Sequence, residues 1–555
     1  MLILRVSCGI IGTVENSFFR GCDMSFVLNS DQQISLFTSL GFLSAKILKM
    51  LNSSWAQAFS DHIFPNIDEM IFAPLYSQNT NSRPNAPINV LVGALILKEL
   101  NGLTDEELVL NCNLNLMYQY ALHTMSFEDQ PISTRSLSRF RERVAEYEIL
   151  TDIDLTHECV VKLSEKIREY MDIEPDIKRM DSMMIEANIR RMGRVELLYT
   201  CLSNLVKMIA KDGRKDMIEG LEHYADPNDR NRVIYHDTET SMKDKLQKVI
   251  DDAALLIPKC KDEYSETEAY QLLLRAIGEQ TKDDGKGGRT AKQKGEGMDS
   301  TILQNPSDPD ATFREKAGDE HRGYVANITE TVSEKGSVIT DYQYDQNIRS
   351  DESFIKETIE NTEPSKEPQA IIADGAYDSK EVKALASEKN ITVVTTGLSG
   401  RKADPFLAAF ILSDDLKTVI TCPAGNAPRS CSYSQSNGTI RVSFDLHQCE
   451  GCPYREQCHP ALKKRTAVKV FSVKSRAKVM VERSPEAGAR RSLIGRIRNG
   501  VETVPSLLRN KFHVDKMPVR RKLRTKLFFG FKVAAANCIK LSRYEQGLEK
   551  CRAFV

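Results

Sequence analysis

The stretch from residue 323 to residue 396 constrains the fold more than any other part of the chain. Two runs rich in β-branched and aromatic residues, 323–332 and 337–344, flank a Lys335-Gly336 turn, which predicts a hairpin. A helical pattern at 351–361 follows, then an apolar strand at 370–373, a helix near 379–389 and a strand at 391–396. Two β-α-β passages behind a hairpin predict an α/β fold with a mixed sheet. Residues 175–189 partly alternate and predict a further strand.

The flanking segments read differently. Residues 55–160 are helical, with Ile88, Leu91, Val92, Leu95, Ile96 and Leu100 at helical spacing. Pro87 marks the first turn of that helix and Asn101-Gly102 its end. Thr104 with Glu107 three residues on predicts a capping box. Residues 133–143 predict a short basic helix with Arg135, Arg139 and Arg143 on one face. In a helix-turn-helix-like unit that face meets DNA; in a plain bundle it faces water. A long helical stretch, about 195–282, leads into a Gly- and Lys-rich linker running to Gly297. Residues 400–465 are turn-rich and Cys-rich, and 486–545 return to basic helices, with Phe528, Phe529, Phe531 and 533–539 as core of the last one. The expected division is an N-terminal extension (1–54), a helical DNA-binding domain (55–165), a core (170–400) carrying a helical insertion (195–300), a Cys-rich insertion (401–465) and the rest of the core (466–545).

The first 19 residues are apolar but broken by Arg5 and lack a cleavage pattern, so they read as an extension, with Met24 as an alternative start. No run of about 18 apolar residues predicts a membrane span. The 13 cysteines then belong to a reducing cytoplasm. Net charge is −1, yet its distribution is lopsided: residues 461–555 hold 25 Lys/Arg against 6 Asp/Glu, a net +19, which leaves −20 for the rest. Such a basic end suits a polyanion, and Lys511, Lys516, Arg520, Arg521, Lys522, Arg524 and Lys526 form the densest phosphate-binding stretch.

Three acids stand out by context. Asp181 lies in the strand at 175–189. Asp374 follows the strand 370–373, at the end where open α/β sheets bind ligands. Glu502 is a lone acid in a basic helical segment. Such a set suits hard divalent cations, and a pair of ions supports in-line phosphoryl transfer. Taken singly, each acid is an ordinary surface or capping group. Glu186 and Asp378 are rival carboxylates, read as a sheet-face residue and a helix N-terminal charge; Asp308 and Asp310 read as turn residues. Cys422, Cys449, Cys452 and Cys458 give a C-x2-C-x5-C pattern with an upstream partner, compatible with structural Zn²⁺. Cys431 and His459 are substitute fourth ligands. A reduced thiol cluster or an iron–sulfur cluster would use the same residues. Neither a G-x-x-x-x-G-K-[ST] loop nor an H-E-x-x-H helix occurs.

Several short motifs recur in a set order between Arg83 and Leu541. They are Arg83-Pro-Asn-Ala-Pro87 with its helix, Gly102-Leu-Thr-Asp-Glu-Glu-Leu108, the helix at 133–143, Asp181-Ser182 with Ala187-Asn188, and Ser307-Asp-Pro-Asp-Ala311. Gly323-Tyr324, Ala373-Asp-Gly-Ala-Tyr-Asp-Ser379, the cysteine cluster, Arg498 with Glu502, and Asn537 with Lys540-Leu541 complete the series. On these the chain resembles the DDE transposases of bacterial insertion sequences, in the branch with a helical N-terminal domain and a Cys-rich insertion before the last acid. The resemblance implies a ribonuclease H-like core in which Asp181, Asp374 and Glu502 bind Mg²⁺ or Mn²⁺. It also implies cleavage at transposon ends, strand transfer into target DNA, double-stranded DNA as partner and a homodimer on two ends. Arg135, Arg139, Arg143, Arg498, Arg509, Lys511, Arg520, Arg521, Lys522 and Arg524 are the expected DNA contacts. Arg498 and Glu502 fit the family's Y-x2-R-x3-E-x6-K signature; Gly495 stands at the Tyr position, Arg509 at the Lys position, and Pro505 should kink the helix. These departures motivate a second reading, a catalytically impaired or repurposed DNA-binding protein. A zinc-module protein that binds partners and a nuclease acting on RNA hybrids are further readings.

Overall fold

The computed structural model describes residues 24–29, 41, 43–77, 81–125, 130–285, 287–293, 295–316, 318–395, 404–482 and 485–547. The N-terminal region is helical: α1 (Ile88–Asn101), α2 (Asp105–Leu114), α3 (Thr134–Thr151) and α4 (Leu155–Tyr170). Pro87 precedes the first residue of α1, and Gly102, with φ of 66°, closes it in a left-handed conformation that glycine adopts without strain. The Thr104–Glu107 capping box forms as expected. Ser133 and Ser136 cap α3, which is longer than the expected basic segment; Leu137, Phe140 and Val144 face inward. The region reaches upstream of 55, because Leu51 sits in the same core and Met24–Ser25 pairs in parallel with Arg83–Pro84. Residues 1–23 of the expected extension lie outside the described residues.

Strand β1 (Ile177–Glu186) enters the sheet, and the chain then leaves it for α5 (Arg194–Lys211), α6 (Met242–Tyr264) and α7 (Glu268–Gln280), which share a core of their own. The expected linker is partly ordered: Thr281–Asp283 pairs antiparallel with Arg289–Ala291, because alternating residues on both sides of a Gly-rich turn can close a hairpin. The chain returns through β2 (Thr312–Lys316), β3 (Asp319–Ser333), β4 (Gly336–Gln346), α8 (Asp351–Asn361), β5 (Gln369–Ala373), α9 (Lys380–Glu388) and β6 (Ile391–Thr395). Among the described residues these strands form a six-stranded mixed sheet in the order β6-β5-β1-β3-β2, with β4 also on β3. Strands β6, β5 and β1 run parallel, and β3 is antiparallel to its neighbours. Gly323 lies where β3 passes β1, and a Cβ there would strike the Ile185 carbonyl oxygen.

A four-stranded antiparallel sheet follows, from β7 (Ser430–Ser434), β8 (Thr439–Asp445), β9 (Ala461–Leu462) and β10 (Thr466–Ser472), so the Cys-rich part runs past 465. The C-terminal helices are α10 (Pro485–Val501), α11 (Thr503–Asn510) and α12 (Lys522–Glu545). The break between α10 and α11 falls at Glu502. Pro505 accounts for it, having no N–H to donate and a ring that clashes with the carbonyl four residues back.

Helix α12 is apolar over most of its circumference and is buried between the N-terminal helices and the sheet, as that pattern requires. One continuous core joins α1, α3, α4, α12, β3 and β4. Lysines on α12 point into this core and are neutralised there: Lys526 by Glu148 and Asp154, Lys532 by Glu99, and Lys540 by Glu330. On the opposite face α8 and α9 cover Met180, Ile371 and Ala373.

Helix α10 packs on β1 through a close approach. Arg179 donates from Nη1 to the Ile497 carbonyl at 2.9 Å, and a Cβ at Gly500 would run into the Arg179 guanidinium. Gly495, on the same helix, stands in open space: a Cβ there would meet nothing within 4 Å. Gly500→Ala is therefore expected to destabilise the chain by about 1–3 kcal/mol through overpacking, whereas Gly495→Ala should be neutral or stabilising by up to about 1 kcal/mol. Urea denaturation of both variants checks this, and equal effects would show that the close approach is absent.

Candidate active site

Strand periodicity brings two of the three acids together. In the parallel pair β1–β5, Arg179 lies opposite Ile372. Two residues further along each chain come Asp181 and Asp374, on the same face as those partners. The side chains on that face of the sheet, Ile177 and Ile372, pack against Leu493, Ile494 and Ile497 of α10. Helix α10 thus lies over the ends of both strands and delivers Arg498 and, four residues on, Glu502.

All three carboxylates converge on the Arg498 guanidinium. Its Nη1 donates to Glu502 Oε1 at 2.6 Å, and Nη2 stands 4.0 Å from Asp181 Oδ2 and 3.9 Å from Asp374 Oδ2. Arg498 Nε is buried and has no hydrogen-bond partner among the described residues. Asp181 is the most enclosed acid, its side chain 17% exposed against 35% for Asp374 and 62% for Glu502. Burial pushes the Asp181 carboxyl up to about 6; Arg498 and the Ser182 N–H oppose the rise and Asp374 adds to it. Asp374 accepts from the Ala376 N–H at 2.6 Å and so caps the turn after β5, while Tyr377 donates to Asn327 Oδ1 at 2.7 Å and ties that turn to β3.

The rival carboxylates are engaged elsewhere. Glu186 pairs with His321 at 2.7 Å, and Asp378 with Lys383. Asp308 accepts from the Tyr324 hydroxyl at 2.5 Å, and Asp310 accepts from the Lys522 N–H at the start of α12. Arg179 escaped the sequence reading. Two positions before Asp181, it is buried on Glu330 at 2.7 Å, and a charged residue inside an alternating apolar strand was the signal that could have found it.

The basic residues divide. Arg509 donates to the Met184 carbonyl and pairs with Asp515; Arg520 donates to the Asn188 carbonyl; Arg521 pairs with Glu268, Lys522 with Asp345 and Lys526 with two acids. These are internal partners, so the stretch is less open to phosphate than its charge count implies; Lys511 lies over the Phe512 ring. In the N-terminal region Arg83, Arg135, Arg139 and Arg143 line a cleft of about 510 Å³. The side chains of Arg83, Arg135 and Arg139 make no hydrogen bond or ion pair with a described residue, whereas Arg143 rests on the Tyr76 ring and Met24 sulfur. Cys422, Cys449, Cys452 and Cys458 all line one small cavity in the Cys-rich part; Cys431 and His459 do not. Among the described residues no group of three or more His, Cys, Asp or Glu side chains is gathered as a metal site.

The transposase domain family DUF772 matches residues 53–143, and the transposase DDE domain family matches residues 421–542. The second match takes in the cysteines, Arg498, Glu502 and most of α12; Asp181 and Asp374 lie outside both. No curated protein and no solved structure matches the chain. Among the described residues no helix is long and apolar enough to cross a membrane.

The raised Asp181 carboxyl has a consequence with a definite sign. Between its ordinary value of 3.8 and about 6 the folded chain keeps a proton that the unfolded chain has lost, so this residue's contribution to stability falls as pH rises through that window. In chelator-containing buffer, the stability of Asp181→Asn relative to the native chain should therefore increase from pH 4.5 to pH 7. A difference that does not change with pH would contradict the burial of this carboxyl.

Proposed function

The chain belongs to the insertion-sequence transposases of the DDE type, and we propose that it cuts a DNA phosphodiester at each end of a mobile element and joins the freed 3′-hydroxyl to target DNA. The observation that carries this reading is the meeting of Asp181, Asp374 and Glu502, from two strands and a helix, around one cation. We read the mixed sheet as ribonuclease H-like on the same footing.

The donor set is all oxygen and already surrounds a positive group, which fits hard divalent ions such as Mg²⁺ or Mn²⁺. Asp181 and Asp374 would hold them between the strand ends, and Glu502 would complete one ion's shell. Divalent ions bound there supply activation of water and stabilisation of the leaving oxygen in an in-line displacement. Asp181 must lose its proton to take part, and Arg498 lowers the cost of that ionisation. Arg498 also holds Glu502 across the helix break that Pro505 makes, which supports reading Glu502 as the third acid. Gly495 has open space around it, so no packing in the site depends on a side chain there. The exchange of one phosphodiester for another needs neither a covalent enzyme intermediate nor a nucleotide. Double-stranded DNA would be held by the arginine cleft of the N-terminal region, which binds phosphate through charge and not through base edges.

With a transposon-end duplex and Mg²⁺ or Mn²⁺, Asp181→Asn, Asp374→Asn and Glu502→Gln are each expected to lower cleavage by at least about 10³-fold, in line with loss of a principal electrostatic group, while DNA binding persists. Normal cleavage by all three would overturn the assignment. A native chain that binds ends but never cuts would favour the repurposed DNA-binding reading. Arg135→Ala with Arg139→Ala should weaken binding to all sequences alike and reduce the slope of log K against log salt by about 2, at about 0.9 per phosphate contact. An unchanged slope would remove the cleft from the DNA path.

A further inference from the structure

The Cys-rich part has a very small core. Across the described residues 404–472 the buried apolar residues are Leu407, Phe410, Val419, Ile440, Val442, Phe444, Ala467, Val468 and Phe471. A sheet of four short strands with so little burial is of the kind that natural proteins reinforce by a disulfide or a metal. Its cysteines are all free thiols, so no disulfide supplies that reinforcement.

Four of those cysteines border one cavity. Cys422, Cys449, Cys452 and Cys458 line a single cavity of about 20 Å³ together with Phe406, Phe444 and Tyr454. That is room for one water-sized sphere. The backbone presents them from two turns. Cys422 opens a tight turn in which Gly425 donates to its carbonyl at 2.8 Å, Gly425 taking a φ of 82°. Cys449 and Cys452 flank a second turn, with the Cys452 N–H toward the Cys449 carbonyl at 3.4 Å, and Cys458 ends the short helix Arg455–Cys458 that follows. Two cysteines three positions apart on a turn, with two more from neighbouring segments, is a donor arrangement that suits tetrahedral zinc. The candidates the sequence left open separate here. The Cys431 sulfur lies against the Val419 N–H at 3.4 Å, and His459 is not among the lining residues.

We propose that this part of the chain is a structural zinc module, with Cys422, Cys449, Cys452 and Cys458 as its four ligands. The thiols line the cavity without being gathered to ligand spacing; binding turns the four side chains inward to sulfur–zinc lengths of about 2.3 Å and releases their protons. Four thiolates around Zn²⁺ carry two net negative charges, and Lys469, bonded to the Cys458 carbonyl, and Arg455, on the cavity wall, stand beside them. The module hangs between β6 and α10, so a fixed fold here sets where α10 re-enters the sheet with Arg498 and Glu502.

The test uses the full chain, purified without chelators and freed of any affinity tag. Mass spectrometry of the metal content should find zinc at one equivalent, released on titration with a mercurial thiol reagent. Cobalt substitution should give the absorption of a tetrahedral thiolate site. Cys449→Ser and Cys452→Ser should lose the zinc, and Cys431→Ser and His459→Ala should keep it. A metal-free chain whose thiols all react freely would overturn the proposal. So would iron with sulfide-to-iron absorption, or loss of zinc in the Cys431 or His459 variant. Should the serine variants fail to fold, the metal content and mercurial release of the native chain still decide. None of these readouts depends on DNA cleavage, so the zinc module and the three-acid site stand or fall separately.

Discussion

Glu330 lies in the middle of β3 with no exposure, and a carboxylate there is tolerable only because two cations meet it. Arg179 of β1 reaches one oxygen at 2.7 Å and Lys540 of α12 the other at 2.6 Å. Burial alone would raise this carboxyl, and Lys540 and Arg179 hold it well below the usual range. Breaking such a pair leaves a buried charge uncompensated, at about 3–5 kcal/mol. The network also carries geometry. Arg179 binds the Ile497 carbonyl, which sets α10 on the sheet, and Lys540 also binds Ser337, which sets α12 on the hairpin. Strand, hairpin, last helix and acid-bearing helix are thereby fixed against one another by a single buried carboxylate.

The cluster around Arg498 is built on that frame and is electrostatically unlike it. Glu330 has two cations for one acid, whereas Asp181, Asp374 and Glu502 share one cation among three. Burial, with a smaller contribution from Asp374, makes Asp181 hold its proton to higher pH in spite of Arg498. The Arg498 contacts are also uneven, with a hydrogen bond to Glu502 and only long approaches to the two aspartates. A site short of positive charge, with oxygen donors on rigid strands, is suited to take up cations; one already neutralised, like that at Glu330, is not.

Features set by neighbours in sequence were legible. The Thr104–Glu107 box, the Gly102 stop, the hairpin at Lys335-Gly336 and the break caused by Pro505 each rest on residues within a few positions of one another. The meeting of Asp181 with Asp374 was legible only through the resemblance, since register between distant strands leaves no local mark. Charge counting could not resolve the C-terminal segment, because a sum cannot separate a solvent-facing cation from one neutralised inside. Lys526, Lys532 and Lys540 belong to the core, and Arg521 and Lys522 to other elements. Gly500 left no local mark, and although Arg179 stood out as a charge in an apolar strand, its contact with α10 joins residues more than 300 positions apart. Several motifs of the resemblance proved to be fasteners, such as Asn537, which bridges the Ile339 backbone and Ser164.

The central claim is that three distant acids make one cation site, and anomalous scattering from crystals of the full chain grown with Mn²⁺ tests it most directly. The expected result is a manganese peak within coordinating distance of Asp181 and Asp374, with Glu502 or its Arg498 partner shifted to admit it. Crystals in which manganese binds only elsewhere, with Arg498 still seated among the three carboxylates, would contradict the claim.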